Sequence, residues 1–443
     1  MVGEPVAAGT AGAGTGLRVT LSGPMAFCVA LKQVIGGGVI VLTGTAVALT
    51  GAGAAPAYLL ASLVVLLVSL PYAVLGAAEP VSGSLYRWPA TYLSPVAGFL
   101  GFWMVLGTHV GLAAYTATFG ATLHGLVPGI PARVAGPAAL LFVLALNLLG
   151  GAASARAGVV ITATVAAALV AFAVTGLPQI QPHRLRALLP HGWHGLLSAA
   201  ALLTFPISGA TLVSELGGEM RRPGRTLPLA ILGATAAATI LYMAVALVVA
   251  GLPRTGGGGA LTDVAARIMS PLGAGLFGIG VGIVSMLGIM NAHLLWGSRS
   301  ILLVCQDRWL PSRFGHPNRA GAPTWPLCLL ALIGVLPVVL GLDLADILRV
   351  AGLGAAGSAI LSVACAPVYA RRHPEAYAAS PLAIPFPALV TAVVAAVVSQ
   401  GVTLYLLLRD LSVRLALLWV GWVAIGLMIA LWRRRDAGAG RAK

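Results

Sequence analysis

The chain has 443 residues, 59% of them hydrophobic and only 8% charged, with 26 lysines and arginines against 11 acids for a net charge of +15. A water-soluble domain carries about 25% charged residues, so this chain cannot cover itself in water, and its apolar content equally excludes a disordered chain. The basic excess is that of a nucleic-acid binder, but the arginines stand between apolar runs of about 20 residues, so a lipid bilayer rather than a nucleic acid is the expected partner.

In chain order, residues 1–23 carry one arginine, Arg18, and no apolar stretch; they read as a flexible tail without a cleavable signal. Apolar runs follow at 24–50, 56–78, 95–123, 134–151, 157–177, 195–217, 228–251, 271–304, 324–342, 346–370, 386–408 and 413–432. The expectation is an all-α polytopic membrane protein with 12 transmembrane helices. Helices 1–5 fall in 24–177, a loop and helices 6–10 in 178–370, and a loop and helices 11 and 12 in 371–432; a second tail covers 433–443. With the N-terminus inside, the cytoplasmic segments hold sixteen arginines and lysines and the opposite side seven, which places both termini in the cytoplasm.

Run 24–50 is too long for a plain crossing. As one helix it would measure about 40 Å against a hydrocarbon core of about 30 Å. Its middle is Gly36-Gly37-Gly38, residues that each cost a helix about 1 kcal/mol relative to alanine. The sixth run has a matching interruption at Phe205-Pro206-Ile207-Ser208-Gly209, where proline removes a donor and clashes with the preceding turn. Two broken helices in corresponding positions of successive five-helix units point to a transporter's midplane site.

Four strings carry a family resemblance over nearly the whole chain. VIGGGVIVLTG (34–44) is similar to the first-helix glycine motif of the amino acid–polyamine–organocation transporter superfamily, and PVSGSLYRWPATYLSPVAGFLGFW (80–103) resembles its connection between helices two and three. EMRRPGRTLPLAI (219–231) resembles the turn after helix six, and SRSILLVCQDRWLP (298–311) the end of helix eight. The resemblance implies a five-plus-five inverted repeat of the leucine-transporter type, with broken helices 1 and 6 and with helices 11 and 12 outside the repeat. The chain departs from the family pattern at Ile40, where phenylalanine is usual, at Ala210-Thr211, where an aromatic–acidic pair is usual, and at Val74, where glutamate is usual.

Broken helices expose N–H groups at the start of one half and carbonyls at the end of the other, and in hydrocarbon these need a polar partner. A zwitterionic amino acid is such a partner. Its carboxylate would meet the N–H groups of Gly37 and Gly38 beside Gly36, and its ammonium the carbonyls of Ile35, Phe205 and Ser208. At Gly36, Gly37, Gly38 and Gly209 a Cβ would hold the ligand off the backbone. Selectivity would fall to Ala210, Thr211, His109 and Ser358; alanine in place of an aromatic would make a roomier pocket for a larger apolar side chain. His109 fits either binding or proton relay, or a neutral imidazole bonded to a neighbouring helix, and Thr211 and Ser358 fit helix–helix hydrogen bonds equally well.

Lys32 and Lys443 are the two lysines, and Lys32 lies inside the first run. A charge at the bilayer centre costs about 2.5–3.5 kcal/mol, so Lys32 must pair, snorkel or lose its proton. The resemblance implies a coupling-cation site between this region and helix eight, filled in proton-coupled relatives by an ammonium usually supplied from helix five; residues 157–177 contain no lysine. Lys32 is therefore expected to supply the ammonium from helix one, with Glu215 as its partner in a gate or proton exchange. The alternative is a static ion pair or snorkelling to the headgroups. Asn291 reads as a polar contact near Lys32, Arg299 as an interface-facing structural charge, and Asp346 with Arg349 as a local pair or an outer gate. His191 and His194 have helical metal-ligand spacing but no third ligand nearby, so an interfacial loop is expected. Absence of HExxH, GxSxG and GxxxxGK strings argues against an enzyme, a cofactor or an ATP-driven pump. The expected function is amino-acid transport across the cytoplasmic membrane by alternating access, coupled to protons. Substrate/product or polyamine exchange and a non-transporting amino-acid sensor are the alternatives.

Overall fold

In hydrocarbon every backbone polar group must be satisfied within the segment, so apolar runs of this length have helix as their outlet. The computed structural model describes residues 21–35, 37–149, 154–185, 189, 191–252, 261–319 and 321–439. Within them the chain is helical, and its extended pairing is limited to two isolated bridges, Leu21 with Met220 and Ser82 with Leu216.

The first run is divided into α1 (Gly23–Val34) and α2 (Gly37–Thr50). The break falls where the glycines predict it, although Gly36 itself lies outside the described residues. Val34 ends α1 with a carbonyl that the Tyr242 hydroxyl reaches, so one orphan acceptor of the helix end is satisfied. α3 (Ala54–Ala78) follows a glycine turn, then the short α4 (Ser84–Trp88) and α5 (Pro95–Thr108), whose N-cap Ser94 accepts from Ala97 N at 3.0 Å. α6 (Gly111–Leu126) continues α5 after a kink at His109-Val110. There the His109 N–H is shared between the carbonyls of Val105 and Leu106, at 3.2 and 3.3 Å. Next come α7 (Ala132–Leu148) and α8 (Ser154–Gly176).

α9 (Gly192–Ile207) ends within the interruption expected in the sixth helix. Past Pro206 the chain does not unwind; it tightens into a 3₁₀ segment, Ser208–Glu215, whose first N–H, that of Ser208, bonds the carbonyls of Thr204 and Pro206. Tightening keeps the backbone bonded where an open break would leave it bare. The second half holds α10 (Pro223–Pro228), α11 (Ala234–Gly251), α12 (Leu261–Ile268), α13 (Pro271–Phe277), α14 (Ser285–Gln306), α15 (Thr324–Val339), α16 (Leu344–Val363), α17 (Cys365–Arg372), α18 (Pro374–Ala378), α19 (Phe386–Arg409) and α20 (Val413–Ala439). π-helical turns, Leu229–Gly233 and Gly278–Val284, join α10 to α11 and α13 to α14.

Among the described residues nine helices are long and apolar enough to cross a membrane, and Ala132–Leu148 and Thr324–Val339 are shorter apolar helices. Leu63, Leu141, Val160, Ile240, Leu332 and Leu417 stand exposed on their outer faces, an apolar surface suited to lipid and not to water. α20 is peripheral and is pinned to α5 by a Trp103–Trp422 stack with ring centroids 4.2 Å apart.

Close packing rests on small residues. A Cβ on Gly120 would lie 2.1 Å from the Ala132 carbonyl oxygen, and one on Gly136 2.2 Å from that of Thr116, so α6 and α7 touch backbone to backbone. Gly136→Ala should destabilise the protein by about 1–3 kcal/mol, read as a lower melting temperature in detergent, because a backbone carbonyl cannot step aside as a side chain can. An unchanged melting temperature would show that the two helices can separate freely.

Candidate functional site

α1 runs beside the 3₁₀ segment that follows α9. Gly209 is what permits the approach, since a Cβ there would sit 2.4 Å from the Gln33 carbonyl oxygen. Around this junction lies a cavity of about 60 Å³, walled by Gln33 of α1, Phe205, Ser208, Gly209 and Thr211 of the sixth helix, and residues of α3, α5, α6, α14, α16 and α19. A water needs about 10–15 Å³ counted this way, so the space suits a handful of waters or one small solute. No aspartate, glutamate, lysine or arginine is among its wall residues.

Phe205, Ser208, Gly209, Thr211 and Ser358 stand on the wall as the sequence suggests. Ser208 and Thr211 donate to the carbonyls of Phe205 and Ser208, at 2.8 and 2.7 Å, and Ser358 donates to Ala355 O at 3.0 Å. These bonds lie within one helix and do not tie neighbouring helices, so the hydroxyl oxygens keep their lone pairs for the cavity. Gly37 and Gly38 start α2. Ile35 and Ala210 are buried behind the wall and are not on it. The expected widening of the pocket at Ala210 is therefore corrected: its methyl packs into the core, and Phe205 and Trp296 bound the space instead.

His109 also lies behind the wall. Its Nδ1 is 2.8 Å from Nε2 of His293, both rings are packed on Trp296 at 4.7 Å, and a Cβ on Gly297 would lie 2.3 Å from His109 Cε1. The alternative of an imidazole bonded to a neighbouring helix is the one observed. His293, on α14, is the partner that faces the cavity. Sequence reading misses it because the two histidines are 184 positions apart and share no spacing motif.

Lys32 and Glu215 do not meet, which corrects the pairing expected for them. Lys32 is 8% exposed and leans across α1 toward α14 and α8: a Cβ on Gly288 would lie 3.0 Å from its Cε and 3.6 Å from Nζ, and 3.2 Å from Ile161 Cγ2. Among the described residues no carboxylate forms an ion pair with it. Glu215 is fully buried and held elsewhere, accepting from Leu85 N at 2.7 Å, Ser84 Oγ at 3.1 Å and Ser300 Oγ at 2.6 Å. It thus joins α4, α14 and the end of the sixth helix. Backbone bonds seal the same end: Leu21 N to Glu219 O, Arg221 N to Leu21 O and Gly83 N to Glu215 O, each at 3.0 Å.

Arg299, expected at the lipid interface, instead turns inward, its Nε 3.4 Å from Glu219 Oε1 in ion-pair range but without hydrogen-bond geometry. Burial pushes the Glu219 carboxyl above its usual range, and Arg299 draws it back. Asn291 accepts from Asn147 Nδ2 at 2.7 Å, tying α14 to α7. Asp346 and Arg349 form the local pair, Nη1 to Oδ1 at 2.8 Å. His194 is 3.8 Å from Asp410, and no group of three or more metal-ligating side chains occurs among the described residues.

Known proteins resemble the chain over most of its length. The family model described as "Amino acid permease" matches residues 26–436. The chain is 27% identical to a methylthioribose transporter of Bacillus subtilis over 89% of each chain. It is 24% identical to the branched-chain amino acid permease BcaP of the same organism over 78% of this chain and 79% of that one. To the serine/threonine exchanger SteT, also of Bacillus subtilis, it is 28% identical over 70% of this chain and 74% of that one.

Proposed function

The chain belongs to the amino acid permease family and is a multi-pass membrane protein and a transporter, not an enzyme; from that premise we propose that it carries a small amino acid by alternating access, coupled to protons. The observation that carries this reading is the charge-free cavity at the junction of α1 and the sixth helix. The Gly37 and Gly38 N–H groups at the start of α2 take the carboxylate, and the carbonyls of Phe205 and Ser208 take the ammonium, Ile35 lying behind the wall. Main-chain dipoles then replace the charged side chains that hydrocarbon penalises.

Twelve spanning helices in a five-plus-five inverted repeat, with both termini in the cytoplasm of a cell whose cytoplasmic membrane holds the protein, complete the proposed architecture. On that topology the end sealed by Glu215 and by Arg299 with Glu219 is the inner gate. Lys32 is the coupling group; its place against α8 and α14 supports this role, because a lysine, unlike an arginine, can release its proton when buried. Exchange of one amino acid for another is the second reading, favoured by the relative named as a serine/threonine exchanger.

Reconstituted in liposomes, the protein should show counterflow of labelled amino acids and uphill uptake when an inward proton gradient is imposed. Exchange indifferent to pH would make it an exchanger, and no flux of any amino acid or amine would favour a sensor.

A further inference from the structure

Hydrogen-bonding capacity is unevenly divided on the cavity wall. Thr108, Thr204, Ser208, Thr211 and Ser358 each direct the hydroxyl proton to a carbonyl of their own helix, at distances from 2.6 to 3.3 Å. They offer the cavity only oxygen lone pairs. Two carboxamides, Gln33 and Gln400, are also on the wall, and each is 6% exposed. Among the described residues neither side chain has a hydrogen-bond partner in the protein, so their donors and acceptors are left for what fills the cavity, as is the Trp296 Nε1 donor. Gln33 sits at the end of α1, where the backbone groups of a substrate would lie. Gln400 does not: it comes from α19, outside the ten helices of the proposed repeat, and shares its part of the wall with the small residues Gly352, Ala355, Ala356 and Ala359 of α16.

We infer that Gln400 selects the substrate by meeting a neutral hydrogen-bonding group, a hydroxyl or a carboxamide, at the side-chain end of the amino acid. The inference rests on the reading of the cavity as an amino-acid site. A carboxamide donates and accepts at once, so it complements a group that does the same. An apolar side chain would leave the amide buried and unpaired. A charged one would enter a wall with no counter-ion. The cavity volume limits the choice to small members of the class.

Threonine and valine test this directly, being close in shape and differing by a hydroxyl in place of a methyl. Counterflow competition would use the full-length protein in liposomes, as wild type, Gln400→Leu and Gln400→Asn. Wild type is expected to prefer threonine over valine, Gln400→Leu to lower that ratio about tenfold, the effect of one lost hydrogen bond, and Gln400→Asn to restore part of it. Equal competition in wild type, or a ratio that survives in Gln400→Leu, overturns the assignment. If Gln400→Leu is not monodisperse in detergent, the melting temperature of wild type decides instead: a larger rise with threonine than with valine supports Gln400, and equal rises overturn it. Failure of every amino acid to move or to stabilise the protein removes the amino-acid reading itself, an outcome distinct from transport that ignores the hydroxyl.

Discussion

Lys32→Met protein is expected to catalyse counterflow but to lose accumulation driven by a proton gradient. Lys32 is nearly buried, and its ammonium end lies against Gly288 of α14 and near Ile161 of α8. A buried ammonium without a counter-ion is expensive to hold, so protonation at this place is linked to how closely the surrounding helices pack. In the proposed cycle the amine takes up its proton when α1 moves away from α14 and gives it up when the helices close around it. Methionine fills a similar volume without a titratable group and should leave the helices packed while severing that link. Lys32→Arg, which keeps the charge but cannot release it, should also fail to accumulate substrate. Uphill uptake by either variant from an imposed pH gradient would remove Lys32 from coupling and leave it a packing residue. Accumulation and counterflow are measured in the same vesicles, so a folding defect would show as loss of both.

Glu215→Ala should cost the most stability of any single substitution at the sealed end. The carboxylate gathers Leu85 N, Ser84 Oγ and Ser300 Oγ from two other elements into one buried point. Truncation strands the Leu85 N–H and the Ser300 hydroxyl out of reach of water and leaves Ser84 with Ser214 alone, and a loss of about 3–5 kcal/mol is expected, seen as a large fall in melting temperature. Glu215→Gln keeps one carbonyl oxygen but turns an NH₂ toward groups that donate, so it should fall between wild type and alanine. If that end is the inner gate, both variants should also open more readily inward, read as faster labelling of a cysteine placed at Ser84 by a membrane-impermeant thiol reagent from the cytoplasmic side. A Glu215→Ala protein that melts with wild type would mean that the network holds nothing together.

Both predictions turn on partners far apart in the chain, which is where sequence reading stops. Helix positions were legible because each is a local property: a run of apolar residues has to satisfy its own backbone in lipid, and Gly36-Gly37-Gly38 marks the break in the first run on composition alone. The form of the second interruption was not legible. Pro206 does disturb the sixth helix, yet a 3₁₀ continuation absorbs the disturbance, and the residue types do not distinguish tightening from unwinding. The wall residues nearest the breaks, Phe205, Ser208, Gly209, Thr211 and Ser358, followed from their places in their helices.

What the sequence by itself determined is the class: a helical membrane transporter, with a break in its first helix. Only the tertiary structure decided who faces whom. It set Lys32 against α14 and not against Glu215, gave His109 its partner His293, turned Arg299 inward to Glu219, took Ala210 off the wall and brought Gln400 onto it from the eleventh run. The physical reason is rotational. Apolarity along a helix fixes that it enters the bilayer, but in so apolar a chain the sequence pattern marks the inner face of each helix only weakly. Its rotation about its own axis is set by contacts such as Gly209 on Gln33 and Gly136 on Thr116, which exist only once the helices have packed.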